Sequence, residues 1–297
     1  MPGLETEASQ PAGAPARVPG QRRICATAGN GATLRLVAMG EVLIHFQGVK
    51  KAFGPKVVFA GLDLQIERGE ALTVVGGSGV GKSVMLKLLI GLLRADAGRI
   101  EFDGRDVTQL NERGFARIRQ RIAMLFQSGA LFDSLSVGQN VAYGLEEHFR
   151  DKMSKQEIAD RVEWALSAVD LPGIQEMRPS DLSGGMRKRV GLARAIAVQP
   201  EVVLYDEPTT GLDPINTARV NHLITGLKKK LNITSIVVTH DMKSAFQVSD
   251  RIAMVHAGRV IHHAPVQQFK VIADPRVQDF IEGRAPVKED VATLLNA

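Results

Sequence analysis

Apolar positions follow two rhythms along this chain, and the rhythms alternate. Segments 42–49 and 57–66 read as strands; in the second, Leu62, Leu64 and Ile66 occupy every other position. Segments 71–75, 122–126, 202–205 and 235–239 are short, almost continuously apolar runs, the pattern of strands covered on both faces. Segments 83–93, 214–231 and 242–248 read as helices, the first apolar almost all round and so buried against a sheet. Short apolar strands separated by helices predict a parallel α/β sheet. Strand signals stop between Ser136 and Pro179. Within that gap, Ile158, Val162, Ala165, Leu166 and Val169 recur at helical spacing over 155–169, which predicts a helical insertion over about 133–181.

The ends differ. Eighteen of the first forty residues are Pro, Gly or Ala, without either rhythm, so 1–40 reads as a disordered extension. Arg22-Arg23 invites a twin-arginine export reading, but 25–30 is too polar for a signal core. Ordered-looking sequence begins at Val42, and Met39 is the expected native start.

Composition narrows the class. A chain of 297 residues with 44% apolar content can bury one substantial core or two modest ones, and one α/β domain with a helical insertion fits best. A single cysteine, Cys25, excludes an internal disulfide framework and fits a reducing compartment. No run reaches the roughly 18 apolar residues that span a bilayer. The net charge of +5 is met by ordinary solubility, with a membrane-adjacent or anionic partner as the other reading.

Three motifs carry chemistry. Gly76-Gly77-Ser78-Gly79-Val80-Gly81-Lys82-Ser83 follows an apolar strand and opens a helix, the context of a phosphate-binding loop. Its glycines let backbone N–H groups converge on phosphate oxygens, and the helix N-terminus adds a favourable potential. Lys82 is placed to reach the β- and γ-phosphates, and the Ser83 hydroxyl to ligate Mg²⁺. The run 202–205 ends in Asp206-Glu207. A strand ending in two carboxylates is common at ordinary turns. Paired with a phosphate loop, Asp206 is the expected holder of magnesium through water, and Glu207 the residue that orients the attacking water. Leu182-Ser183-Gly184-Gly185-Met186 opens a further helix with Ser183 as its N-cap. Two glycines just after a cap each cost roughly 1 kcal/mol of helix stability, which implies that something approaches the backbone closely. A γ-phosphate held by another subunit's loop is the sharper reading of that turn; a simple cap is the plainer one.

In this order, the elements resemble the nucleotide-binding subunit of an ABC transporter, over about residues 42–262. The resemblance implies an α/β P-loop ATPase with a RecA-like parallel-sheet core, an antiparallel β subdomain and an inserted α-helical subdomain. It implies an ATPase domain over 41–263 and a C-terminal extension, 264–297, available for dimer contact. It also assigns roles. Phe53, on a short loop, resembles the aromatic that stacks on adenine. Gln127 resembles the glutamine that contacts magnesium and the attacking water, Asp213 the loop at the dimer seam, and His240 the switch histidine on the γ-phosphate. ATP and Mg²⁺ are then substrate and cofactor, and the partners are a second copy and integral membrane permease subunits, not nucleic acid. Met186 in place of the usual Gln, the stretch 124–141 and the tail 274–280 resemble the Mla-type lipid-transport ATPases. That implies phospholipid cargo, a site on the cytoplasmic face of a bacterial inner membrane, and accessory subunits with Mce and STAS domains. Importers of amino acids or other small solutes, and lipoprotein-release complexes, are the nearest alternatives. The long N-terminal extension departs from that group. A chromosome or repair ATPase would need a long coiled coil between phosphate loop and Ser-Gly-Gly turn, and only about a hundred residues lie there.

Three further features have duller readings. Arg187, Lys188, Arg189 and Arg194 read as a solvated or domain-facing stripe rather than a lipid or nucleic-acid patch. His262-His263 read as surface histidines rather than metal ligands. Leu131, Phe132 and Leu135 fit either a core or a surface that receives a permease helix.

Overall fold

The alternating segments close into a long antiparallel pair. In the computed structural model, which describes residues 40–284, β1 (Val42–Phe53) pairs with β2 (Lys56–Glu67). The expected extension, apart from Gly40, lies outside the described residues, as do Met39, Arg22, Arg23 and Cys25. Both strands outrun the expected segments. Phe53 is consequently the last residue of β1 at the hairpin, not a residue of a separate loop. β4 (Ala97–Phe102) adds antiparallel to β1, and the short β5 (Arg105–Asp106) completes a four-stranded sheet.

The four almost continuously apolar runs supply four of the six strands of the second sheet; the other two were not expected. β3 (Ala71–Val75), β6 (Ile122–Leu125), β7 (Val202–Asp206), β8 (Thr234–Val238) and β9 (Arg251–His256) lie parallel, and β10 (Arg259–Pro265) closes the edge antiparallel to β9. The order is β10-β9-β3-β8-β7-β6, so β3, which feeds the phosphate loop, sits centrally beside β8. This is the expected α/β architecture: a parallel-sheet core with an antiparallel sheet and inserted helices.

The helices cover both faces. α1 (Lys82–Leu89) is shorter than the expected 83–93 and packs between the sheets in a core with Leu43, Phe46, Leu62, Leu72 and Phe102. α2 (Glu112–Arg121) precedes β6 and was not expected. It buries only Phe115, because its other positions are dominated by arginine and glutamine. Between β6 and the Ser-Gly-Gly turn stand α3 (Val137–Phe149) and α4 (Lys155–Ser167). Each starts with a capping box: Ser136 with Gln139, and Ser154 with Glu157. They pack on α5 (Gly184–Ala197), with Val141, Leu166, Val190 and Ile196 in a second core that continues to Tyr205 and to Ile224 of α6 (Pro214–Leu231). α7 (Met242–Val248), α8 (Val266–Phe269) and α9 (Pro275–Glu282) enclose a third core around Val75, Met254, Phe269 and Val277.

An ion network fastens the antiparallel sheet to the parallel one. Arg121 donates to Glu201, just before β7, and to Asp103 in the β4–β5 turn (Nη2 to Oδ2, 2.7 Å). Arg68, just after β2, reaches Asp103, Glu41 and Glu201. The guanidinium hydrogen bonds hold the Asp103 and Glu201 carboxyls below their usual range.

Candidate functional site

β3 ends at Val75, and the chain turns through 76–81 directly into α1. Gly81 is the N-cap, with φ of 100° and no side-chain cap, so the first N–H groups of the helix stay open to an anion. A Cβ on Gly81 would stand 2.3 Å from Val58, which makes this glycine a packing requirement as well. Lys82 is buried. Its Nζ donates to the carbonyls of Gly76 (2.8 Å) and Gly77 (2.9 Å). Burial lowers its pKa, opposed by the charges of Glu207 and Asp206.

The adjoining strands bring carboxylates to the same place. Asp206 ends β7, and its Oδ1 accepts from Ser83 Oγ at 2.6 Å. Glu207 follows in the left-handed region, φ 50°, which swings its side chain out of the strand line. Its Oε2 accepts from Thr210 Oγ1 at 2.9 Å and lies 3.0 Å from His240 Nδ1, beyond the end of β8. Gln127 stands exposed two residues past β6.

One cleft of about 340 Å³ is therefore lined by Ser78, Gly79, Gly81, Lys82, Ser83, Val84, Gln127, Glu207 and His240. Asp206 sits behind Ser83. Gly76 and Gly77 form the loop behind the cleft, and Val80 packs against the core between the sheets. Ser83 and Asp206 offer two hard oxygen donors, and Gln127 a third nearby. Among the described residues no group of three or more His, Cys, Asp or Glu could cage a metal. That donor set fits Mg²⁺, which takes one or two protein oxygens and completes its shell from phosphates and water.

Other expected residues lie elsewhere. Phe53 is half exposed at the hairpin, with Lys51 Nζ 5.1 Å from its ring centre. Ser183 caps α5, accepting from Met186 N at 3.2 Å. Asp213 caps α6, accepting from Ile215 N (2.9 Å) and Asn216 N (3.0 Å). Hydrogen bonds from Asn216 keep its carboxyl below the usual range. None of these, nor Gly184 or Gly185, lines the cleft.

The structure corrects or sharpens three expectations. The two glycines after Ser183 are not equivalent. A Cβ on Gly185 would stand 2.9 Å from Asn216, so α6 of the same chain requires that glycine, whereas a Cβ on Gly184 would meet nothing nearer than Arg187 Nη2 at 4.0 Å. Of the two readings of the cationic run of α5, solvated or domain-facing, the structure favours the second, although Arg187 is exposed. Lys188 and Arg189 are buried, and all four cations donate to main-chain carbonyls: Arg187 to Leu182, Lys188 to Glu207 and Thr210, Arg189 to Val169 and Asp170, Arg194 to Gly129 and Ala130. The histidine pair is not free surface. His262 Nε2 is 2.8 Å from Asp274, the N-cap of α9, and burial pushes His263 down to about 4. The apolar run 131–135 divides: Leu131 packs against the helical core, while Phe132 is exposed and tilts on Tyr143 with centroids 4.8 Å apart. Sequence reading missed the hydrogen bonds that Thr210 and Lys188 make to Glu207, and the Thr-Thr pair after Asp-Glu-Pro was the only local hint.

Comparison with known proteins gives consistent matches. The ABC transporter family matches residues 59–210. MlaF of Haemophilus influenzae, an intermembrane phospholipid transport system ATP-binding protein, is 38% identical over 83% of this chain and 93% of its own length. The probable ribonucleotide transport ATP-binding protein mkl of Mycobacterium leprae is 39% identical over 82% of this chain and 70% of its own length. Among solved structures, an ATP-binding cassette in a dimeric post-hydrolysis state bound to ADP and Pi covers 75% of this chain and 99% of its own, at 29% identity and TM-score 0.70. The structure of cbiO1 from Clostridium perfringens, part of the ABC transporter complex cbiONQ, covers 86% and 100%, at 29% identity and TM-score 0.71.

Proposed function

The chain belongs to the ABC transporter family as an ATP-binding, ATP-hydrolysing subunit coupled to transport, and from that premise we propose how its residues divide the work. Two copies bind two ATP molecules head to tail, each between the Lys82 loop of one copy and the Ser183–Gly185 turn of the other. The observation that carries this is a separation. The cleft gathers the phosphate loop, Gln127, Glu207 and His240, while the Ser183 turn, uncrowded at Gly184, lies outside it, which supports its use by a neighbouring copy.

Within each site, Lys82 and the open N–H groups of α1 hold the phosphates. Ser83, Asp206 and Gln127 are the residues to hold Mg²⁺, which neutralises phosphate charge when bound. Glu207 orients the attacking water, and His240, 3.0 Å from it, contacts the γ-phosphate. Phe53 stacks on the adenine, and Asp213 positions the seam. The ATPase domain runs over 41–263, and α8 and α9 of the extension 264–297, whose residues 285–297 lie outside the described residues, contact the partner copy. ATP drives closure only through its higher affinity for the closed dimer. Glu207→Gln is expected to trap an ATP-bound dimer on size exclusion; a monomer at saturating ATP and Mg²⁺ would overturn the composite site. Lys82→Ala is expected to abolish nucleotide binding, and unchanged turnover would refute the assignment.

The cargo reading is phospholipid moved between inner and outer membranes. MlaF supports it, as does Met186 in the signature turn. The mkl relatives, equally similar, favour a second reading, ribonucleotide cargo. Uptake of amino acids or small solutes, and lipoprotein release, are further alternatives. Among the described residues no helix is long and apolar enough to cross a membrane, and the proposed place is the cytoplasmic face of an inner membrane, docked on permease subunits. Affinity purification from native membranes separates the readings. Co-purified phospholipid with Mce- and STAS-domain subunits supports the first; a periplasmic solute-binding protein instead removes it.

A further inference from the structure

Lys188 sits one helical turn past the Ser183–Gly185 turn, yet its ammonium reaches the loop that carries the water-orienting carboxylate. The residue is buried. Its Nζ donates to the carbonyl of Thr210 and to that of Glu207 itself, the latter at 3.4 Å. Both hydrogen bonds go to main-chain oxygens, and burial lowers its pKa against the pull of Glu207. The loop it holds is strained and compact. Glu207 has φ of 50°, Thr210 N closes a turn on Glu207 O at 3.3 Å, and Thr210 Oγ1 donates to Glu207 Oε2 at 2.9 Å. One ammonium therefore clamps both ends of the turn that aims this carboxylate.

We infer that Lys188 is a positioning residue for hydrolysis: it fixes the Glu207 carboxylate and ties its placement to the N-terminus of α5. The inference rests on the reading that Glu207 orients water and that the Ser183 turn meets the partner's nucleotide. Under that reading, engagement of a partner's ATP at one end of α5 is felt through Lys188 in the α5-bearing copy's own cleft. A burial argument alone does not require a cation here. A methionine fills the same volume without asking two carbonyls to converge, and a buried ammonium without a carboxylate partner is an expensive way to fill space.

The test is steady-state ATPase activity of the full chain with Lys188→Met and Lys188→Arg, beside melting temperature. Lys188→Met is expected to lower kcat by about tenfold to a hundredfold, the scale of a small misplacement at a reacting centre. KM for ATP should stay within about twofold, and Lys188→Arg, which keeps the donors, should recover most of the rate. In a Glu207→Gln background, Lys188→Met should cause no further loss of residual turnover, because the group it aims is already gone. A Lys188→Met protein with unchanged kcat overturns the inference. So does a loss of kcat that is fully additive with Glu207→Gln, or one matched by a proportional loss of folded protein. Size exclusion of Glu207→Gln with ATP keeps the two layers apart: absence of a dimer there defeats the composite-site reading itself, whereas a normal dimer with an indifferent Lys188→Met defeats only this inference.

Discussion

At the level of single residues, the two glycines behind Ser183 show how the same residue type serves different masters. Gly185 answers to Asn216 of its own chain, at 2.9 Å from where a Cβ would stand, while Gly184 has only Arg187 Nη2 near, at 4.0 Å. Their alanine variants should therefore fail differently. Gly185→Ala is expected to lower the melting temperature and loosen the α5–α6 contact. Gly184→Ala should leave the melting temperature within a degree or two yet weaken ATP-driven dimerisation of a Glu207→Gln protein on size exclusion. Equal stability losses in both would remove the distinction. The sequence pattern singled out both glycines for one reason, close approach of a ligand; Asn216, thirty-one residues on, carried no periodic signal that it would be the neighbour.

Among elements, legibility followed covering. Strands β3, β7 and β8 of the parallel sheet are buried along their length, so they read as almost continuously apolar runs and lie within a residue or so of expectation. α6 and α7 also match, both capped by aspartates that the sequence displays. α2 was illegible because it buries one side chain, and β4 because only Ile100 and Phe102 of its six residues are buried. The phosphate loop and the Asp-Glu strand end were plain in sequence. The clamping role of α5 was not, since a cation that donates to carbonyls looks the same in sequence as one that faces water. The capping boxes of α3 and α4 give a measurable consequence: Ser136→Ala and Ser154→Ala should each destabilise the protein by about 1 kcal/mol, read from urea midpoints. No change in either would mean those helices fray in the native state already.

For the molecule as a whole, the joint between the two sheets depends on charge. Asp103 and Glu201 are held below their ordinary values, 3.8 and 4.5 for free carboxyls, chiefly by hydrogen bonds from Arg121. A depressed carboxyl pKa contributes stability that is present above the ordinary value and lost as pH falls through the folded one. The urea midpoint should therefore drop on acidification through that range, and drop less steeply in Arg121→Met. Parallel acid limbs for the two proteins would show that the network is solvated rather than structural.

The bonds of Lys82 to the carbonyls of Gly76 and Gly77 bear on affinity as well as geometry. Water has already been stripped from this cation while the chain folds, so an arriving triphosphate exchanges one set of oxygens for another instead of dehydrating an ion. Preorganisation of this kind shifts the penalty from association to folding, and leaves nucleotide capture fast, with residence decided by what closes over the phosphates afterwards.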